Sequence, residues 1–215
     1  MVNKEIIKNI VFDFGGVLLD IDYQKTYDAM STLMSRSFDP KLLSHNVKSI
    51  LNKYETGYIN TEIFIEKMQQ LSQKKVPKAE TIIDAWNALL IGFEPSKFDL
   101  LLNLRKNYKV FLLSNTNELH LNWVYEYLAE KYNIRDFDSR YFDKSYYSHQ
   151  IGMRKPDGEI FRFVSIDAAL GPDDTLFIDD IKENILGATA SGWQIYHHNP
   201  NDDLEHIIKN KLCLL

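Results

Sequence analysis

Three short apolar runs, each ending in a polar cluster, constrain this chain more than any other feature. They are Ile10-Val11-Phe12 before Asp13, Val110-Phe111-Leu112-Leu113 before Ser114-Asn115, and Leu176-Phe177-Ile178 before Asp179-Asp180. Continuous rather than alternating runs suit strands covered on both faces, as in a parallel sheet. Helical patterns separate them. Pro95 opens a helix carrying Phe98, Leu101, Leu102 and Arg105, and Glu118 to Tyr132 is a long amphipathic stretch. Pro156 starts another helix with Ile160, Phe161 and Val164, and Lys182 to Ala190 forms one more before a last strand at Gln194-Ile195-Tyr196. Strand alternating with helix predicts an α/β fold built on a doubly wound, mostly parallel sheet.

The segment 20–93 breaks this alternation. It shows no strand pattern and reads as four helices, about Tyr23–Ser35, Pro40–Asn52, Thr61–Leu71 and Lys78–Ile91. Gly57 marks a turn and Asn60 the N-cap of the third helix. So long a helical segment is not a crossover but an inserted α-helical cap, covering residues 20–93, on a core formed by 1–19 and 94–215. A length of 215 residues accommodates one α/β domain with such an insertion, and 45% hydrophobic residues can fill its core.

Charge and composition exclude several functions. The net charge of -5 is spread over mixed acidic and basic residues, without the basic stripe of a nucleic-acid or anionic-membrane binder. Cys213 is the lone cysteine and can form no internal disulfide, which suits a reducing compartment. Residues Met1 to Lys8 are broken by charges and lack a signal-peptide core, and no apolar run approaches the roughly 18–20 residues that span a bilayer. A soluble, cytoplasmic protein, monomeric or weakly dimeric, is expected.

Ligands of open α/β sheets bind beyond the carboxyl ends of the strands. Asp13, Ser114, Asn115, Asp179 and Asp180 should therefore converge there, joined by Lys155 from the loop Gly152-Met153-Arg154-Lys155-Pro156. Three carboxylates gathered in a cleft repel one another unless a cation intervenes, and a hard divalent ion such as Mg²⁺, which takes oxygen ligands, relieves that repulsion. Metal, ammonium and neutral donors around a carboxylate nucleophile suit transfer of a phosphoryl group. Taken singly, each residue has a plainer role as a turn, helix-cap or solvated side chain; the combination at three successive strand ends is what points to chemistry. The cap turn Glu55-Thr56-Gly57-Tyr58 is expected to face the site, with Thr56 and Gly57 touching the substrate. His197-His198 lacks a third ligand at zinc spacing. His120 reads as a helix-surface or loop residue, and Trp86, Trp123 and Trp193 as packing residues.

The segments Asp13-Phe14-Gly15-Gly16-Val17-Leu18, Leu113-Ser114-Asn115-Thr116-Asn117, Gly152-Met153-Arg154-Lys155-Pro156-Asp157 and Phe177-Ile178-Asp179-Asp180 resemble, in order, the four motifs of the haloacid dehalogenase-like hydrolase superfamily. The resemblance covers Ile7 to about Ile195 and is nearest to the subgroup of bacterial α-D-glucose-1-phosphate phosphatases and the phosphatase domain of soluble epoxide hydrolases. It implies a Rossmann-like core with a helical cap, and hydrolysis of a small-molecule phosphate ester, such as a sugar phosphate, through an aspartyl-phosphate on Asp13. It also implies Mg²⁺ held by Asp13, the Gly15 carbonyl and Asp180, with Asp179 adjacent. Ser114 and Asn115 would hold phosphate oxygens, Lys155 would neutralise Asp13 and phosphate, and Asn184 would orient the metal shell.

One position departs from that pattern. The family's phosphatases carry an acid–base Asp two residues after the nucleophile, where this chain has Gly15. General acid–base help is worth about 10²–10⁴-fold. The departure keeps a non-catalytic binding or regulatory protein in view as an alternative. A haloacid dehalogenase, the other alternative, needs no metal and leaves the Asp179-Asp180 pair without a task. A signalling receiver domain places its acidic pair on the first strand rather than the last, and has no cap.

Overall fold

The computed structural model describes residues 2–73 and 75–215. In chain order the elements are β1 (Asn9–Phe12), β2 (Leu19–Ile21), α1 (Tyr23–Met34), α2 (His45–Glu55), α3 (Thr61–Leu71), α4 (Ala79–Asn87), β3 (Leu90–Phe93) and α5 (Ser96–Leu104). There follow β4 (Lys109–Ser114), α6 (Glu118–Tyr132), α7 (Phe137–Tyr141), β5 (Lys144–Tyr147), α8 (Ser148–Ile151) and α9 (Gly158–Asp167). The chain closes with β6 (Thr175–Asp179), α10 (Lys182–Ala190), β7 (Gln194–His197), α11 (Leu204–His206) and a π turn over Ile207–Lys211.

Five strands form a parallel sheet in the order β5-β4-β1-β6-β7. Both faces are covered, which explains the unbroken apolar runs. Ile10 and Phe12 of β1 pack with Val110 and Leu112 of β4 and with Leu176 and Ile178 of β6 in one core. Val11, Phe111, Leu113 and Phe177 point the other way, into a second core shared with Ile160, Phe161 and Trp193. Each such buried side chain stabilises the fold by about 1.5–3 kcal/mol. The expected α/β sheet is thus present, with β5 as a further strand whose two polar residues followed by two tyrosines, Lys144 to Tyr147, form no continuous apolar run.

The four expected helices of the insertion are present, and they bury an apolar cluster of their own that includes Met30, Met34, Tyr54, Phe64, Met68 and Trp86. Side-chain caps fix their starts: Asp22 accepts from the Gln24 amide, Ser44 from Val47 and Asn60 from Ile63. Three boundaries differ from the sequence reading, one of them the end of the second helix, which runs on to Glu55 rather than Asn52. The second helix starts at His45 rather than near Pro40, because Asp39 accepts from the amides of Lys41 and Leu42 and ties Pro40 into a turn that ends at the Ser44 cap. The fourth ends at Asn87 instead of continuing to Ile91. From Leu90 the chain pairs with β2 in an antiparallel two-stranded ribbon. Gly92, at φ 145°, permits this: a Cβ there would lie 2.3 Å from the Tyr127 hydroxyl. The segment 20–93 therefore does contain strand, at its two ends, where the ribbon joins it to the sheet.

Candidate active site

Parallel register brings the strand ends together. Phe12 lies opposite both Leu112 and Ile178, and the Asp13 amide donates to the Ile178 carbonyl at 2.8 Å. Asp13 thus emerges beside Leu113-Ser114 on one side and Asp179 on the other. One carboxylate oxygen from each of Asp13, Asp179 and Asp180 lies within 4.8 Å of the others.

Lys155 is buried among them, with its side chain 1% exposed. Its ammonium donates to Asp13 Oδ1 at 2.6 Å, Asp179 Oδ2 at 2.7 Å and the Leu113 carbonyl at 2.8 Å, using all three of its protons. Asn115 sets the loop that delivers it: its amide oxygen accepts from the Lys155 N–H at 2.9 Å and its Nδ2 donates to the Lys155 carbonyl at 2.8 Å. The Asn115 side chain is therefore a clamp on the lysine loop rather than a free donor to a ligand. Asn184 likewise donates to both oxygens of Asp179, at 3.1 and 3.0 Å, and the Ile181 amide donates to Oδ1 at 2.7 Å. Asp179, fully occupied in this way, anchors Lys155 and leaves Asp13 Oδ2 and Asp180 Oδ1 as the carboxylate oxygens without a donor among the described residues.

The electrostatics follow from this packing. Burial pushes the Asp13 carboxyl up to about 7; Lys155 opposes the rise and Asp179 adds to it. Burial also raises Asp180, with Asp179 contributing. For Lys155 burial alone would lower the ammonium, but Asp13 and Asp179 together outweigh it and hold it above its ordinary value. Three carboxylates against one ammonium leave two negative charges uncompensated. Asp180 Oδ1 is buried and has no hydrogen-bond partner among the described residues. A hard divalent cation with oxygen ligands fits both features. Gly16 makes room for them. It sits at φ 79°, and a Cβ there would lie 2.4 Å from Asp180 Oδ2.

A cleft of about 80 Å³ opens in front of Gly15, Ser114 and Asn115, closed from the insertion by Tyr23 and Glu55 and from the far side by His120. Thr56 and Gly57, the two insertion residues expected here, do not line it. The Thr56 hydroxyl turns back to the Asn52 carbonyl at 2.7 Å. The Gly57 backbone, at φ 69°, presses so closely on α8 that a Cβ would lie 2.0 Å from the His149 carbonyl oxygen. Glu55, one turn position earlier, faces the cleft instead. His120 is not a surface residue: it stacks on Trp86 at 5.3 Å, its Nε2 meets the Trp86 carbonyl at 3.2 Å, and burial pushes it down to about 4. Sequence reasoning also passed over Arg154 and Ser148. Arg154 bonds Asn52 and Glu55 across the seam, and the buried Ser148 hydroxyl lies 2.6 Å from the Glu55 carbonyl. No local pattern marks such residues. The Arg154-Lys155 adjacency is the one available hint.

A parallel α/β core, an inserted helical unit and an acid-rich site with a buried lysine define a class of doubly wound α/β enzymes whose chemistry sits beyond the strand ends. The model of one family, haloacid dehalogenase-like hydrolase, matches residues 7–192. The chain belongs to the haloacid dehalogenase-like hydrolase family. Among curated proteins it is similar to a D-ribitol-5-phosphate phosphatase of Bacteroides thetaiotaomicron, 37% identical over 193 residues, which are 89% of this chain and 91% of that protein. Among solved structures it is similar to a HAD family enzyme of the same organism in complex with magnesium and inorganic phosphate. That structure has TM-score 0.81 and 32% identity, with 94% of this chain and 98% of that one covered. A HAD-like family hydrolase of Porphyromonas gingivalis superimposes with TM-score 0.83 at 30% identity, covering 96% and 98%. No described helix is long and apolar enough to cross a membrane.

Proposed function

We propose that this protein is a Mg²⁺-dependent phosphatase of small phosphomonoesters, with sugar or polyol phosphates as the substrate class and Asp13 as the nucleophile. The observation that carries the reading is the cluster of Asp13, Asp179 and Asp180 with Lys155 bonded to Asp13 at 2.6 Å. The similar proteins support it, one named for a phosphorylated polyol and another solved with magnesium and phosphate. Asp13, Asp180 and the Gly15 carbonyl would hold the ion. When bound, it supplies positive charge to the phosphoryl oxygens and counters the burial and carboxylate repulsion that raise Asp13.

Asp13 attacks phosphorus and forms an aspartyl-phosphate, which water then hydrolyses. Lys155 keeps the attacking oxygen oriented and stabilises charge on the transferring group, while Asp179 and Asn184 hold Lys155 in place. Ser114 stands at the end of β4 to donate to a phosphate oxygen. Segment 20–93 acts as the cap. Its closed position leaves about 80 Å³, well below the roughly 300–1,000 Å³ of ordinary ligand pockets, so a sugar phosphate enters only when the cap lifts.

A panel of phosphate esters with and without Mg²⁺ tests this reading. Turnover should require Mg²⁺ and vanish in Asp13→Asn. Millimolar Mg²⁺ should raise the melting temperature of wild type but not of Asp180→Ala. Full activity in Asp13→Asn, free of contaminating enzyme, would refute the nucleophile; an equal rise in both melts would place the ion elsewhere.

A further inference from the structure

Gly15 brings no side chain to the cleft, yet expulsion of an alkyl alcohol from a phosphate ester needs a proton at the leaving oxygen. The core residues that line the cleft beyond the carboxylate cluster, Phe14, Ser114, Asn115, Thr116 and Asn117, offer no acid. Three titratable side chains remain around it: Tyr23, Glu55 and His120. Both ring nitrogens of His120 meet neighbours, Asn117 and the Trp86 carbonyl. At about 4 its imidazole is neutral at physiological pH, and its one N–H is engaged with the Trp86 carbonyl, so it has no free proton for an alkoxide. Tyr23 is 46% exposed and stacks on Tyr27, with no hydrogen bond among the described residues to hold its hydroxyl toward the cleft; its phenol lies above its ordinary range and so stays protonated, unable to serve as the base of the water step.

Glu55 differs from both. It is the last residue of α2, and its main chain is fixed to the core. Its carbonyl meets the buried Ser148 hydroxyl at 2.6 Å, and that hydroxyl accepts from the Thr116 N–H at 2.9 Å. Two residues on, Gly57 lies against His149 at a separation only glycine allows. Arg154, anchored on Asn52 Oδ1 at 2.7 Å, holds Glu55 Oε2 at 3.1 Å. Oε1 takes no protein donor among the described residues. Burial lifts the Glu55 carboxyl above the usual range and Arg154 opposes the rise. The groups facing it are Tyr23 and Tyr27 of α1, Arg154 of the lysine loop and His120 of α6. Among the described residues no second carboxylate from the insertion lines the cleft.

We propose that Glu55, delivered by the helical insertion, is the general acid and base of this site, in the role for which Gly15 has no side chain. The proposal rests on the phosphatase reading above. In the first step Asp13 Oδ forms a bond to phosphorus as the ester P–O bond breaks, and the Glu55 carboxyl passes its proton to the departing oxygen. In the second, the Glu55 carboxylate takes a proton from the water that attacks phosphorus. The Asp13–phosphorus bond breaks, and phosphate and the protonated Glu55 are restored. The catalytic set is then complete only when the insertion is seated, so ester cleavage is coupled to closure.

The test compares wild type, Glu55→Gln and Glu55→Asp on an alkyl ester, ribitol 5-phosphate or glucose 1-phosphate, and on p-nitrophenyl phosphate, whose phenolate leaves without a proton. Gln keeps the length and a hydrogen bond to Arg154. In Glu55→Gln, kcat/KM for the alkyl ester should fall about 10²–10⁴-fold, while that for p-nitrophenyl phosphate falls much less. A burst of p-nitrophenol should precede a slowed steady state, because hydrolysis of the aspartyl-phosphate has lost its base. Glu55→Asp should recover part of the alkyl activity. In wild type, kcat/KM for the alkyl ester should fall as pH rises through the Glu55 titration, a limb missing for p-nitrophenyl phosphate and available even if the Gln variant does not fold. Equal losses on both substrates without a burst, or no loss at all, would overturn the proposal. If Asp13→Asn is dead while Glu55→Gln is fully active, only this inference falls. If wild type turns over neither ester, or Asp13→Asn keeps its activity, the phosphatase reading falls and takes the inference with it.

Discussion

Asp13 should destabilise the metal-free fold that it serves, and replacing it with asparagine should reveal by how much. Burial moves its carboxyl from the ordinary 3.8 to about 7 even with Lys155 beside it. The folded chain therefore holds a proton that the unfolded chain has released anywhere between those two values. Stability is lost as pH rises through that window and reaches a plateau above it. Each tenfold change in proton affinity corresponds to about 1.4 kcal/mol, so the full penalty at pH 8 is about 4 kcal/mol. Asparagine preserves the shape and can still accept from Lys155, but its amide needs an acceptor where the carboxylate needed none. We therefore expect Asp13→Asn to be about 2–4 kcal/mol more stable than wild type at pH 8 in EDTA, with the difference vanishing near pH 4. Urea unfolding at both pH values, with and without Mg²⁺, measures it. Saturating Mg²⁺ should narrow the gap, because the cation supplies the charge the carboxylate lacks. A variant less stable than wild type at pH 8, or a gain that does not change with pH, would refute this account of the site's electrostatics.

Other expectations are narrower. Lys155→Met should lose about 3–5 kcal/mol of stability at neutral pH, since it strips the ammonium from Asp13 and Asp179; a shift of its urea midpoint well under that would mean the cluster relaxes or takes up protons freely. Gly57→Ala should loosen the seat of the insertion, because its Cβ would meet the His149 carbonyl at 2.0 Å in a left-handed backbone. A loss of about 1–3 kcal/mol is expected, read as a lower melting temperature and faster hydrogen exchange in α2; an unchanged melt would show that the seam is not tightly packed.

Much of this architecture can be read without coordinates. Strands covered on both faces must be apolar throughout, so β1, β4 and β6 announce themselves as unbroken runs. Helices with one buried face show their period, as α2 and α4 do. Edge strands are harder. Lys144 to Tyr147 of β5 mix lysine, serine and tyrosine, and the ribbon residues Leu90 to Phe93 extend a helical pattern on paper. They become strand because β2 offers them backbone partners and Gly92 accepts a conformation at φ 145° that other residues resist.

The same division runs through the site. Asp13, Ser114, Asp179 and Asp180 were legible because parallel strands of known direction deliver whatever follows them to one edge of the sheet. Lys155 was legible from its place in the loop before a helix, but its burial with three oxygen partners was not. Nothing in sequence shows that the Asn115 side chain clamps the lysine loop, or that Asp179 is engaged by Lys155 and Asn184. Those roles depend on which lone pairs neighbours have already taken. The sequence points the turn 55–58 at the cleft as a whole, but α2 ends with Glu55 facing it while Thr56 folds back on Asn52. Local patterns are set by the chain's own period and determine what each segment becomes. Which side chain of a turn reaches a cleft is decided by how two separately packed units, the sheet and the helical insertion, meet across Ser148, Arg154 and Gly57.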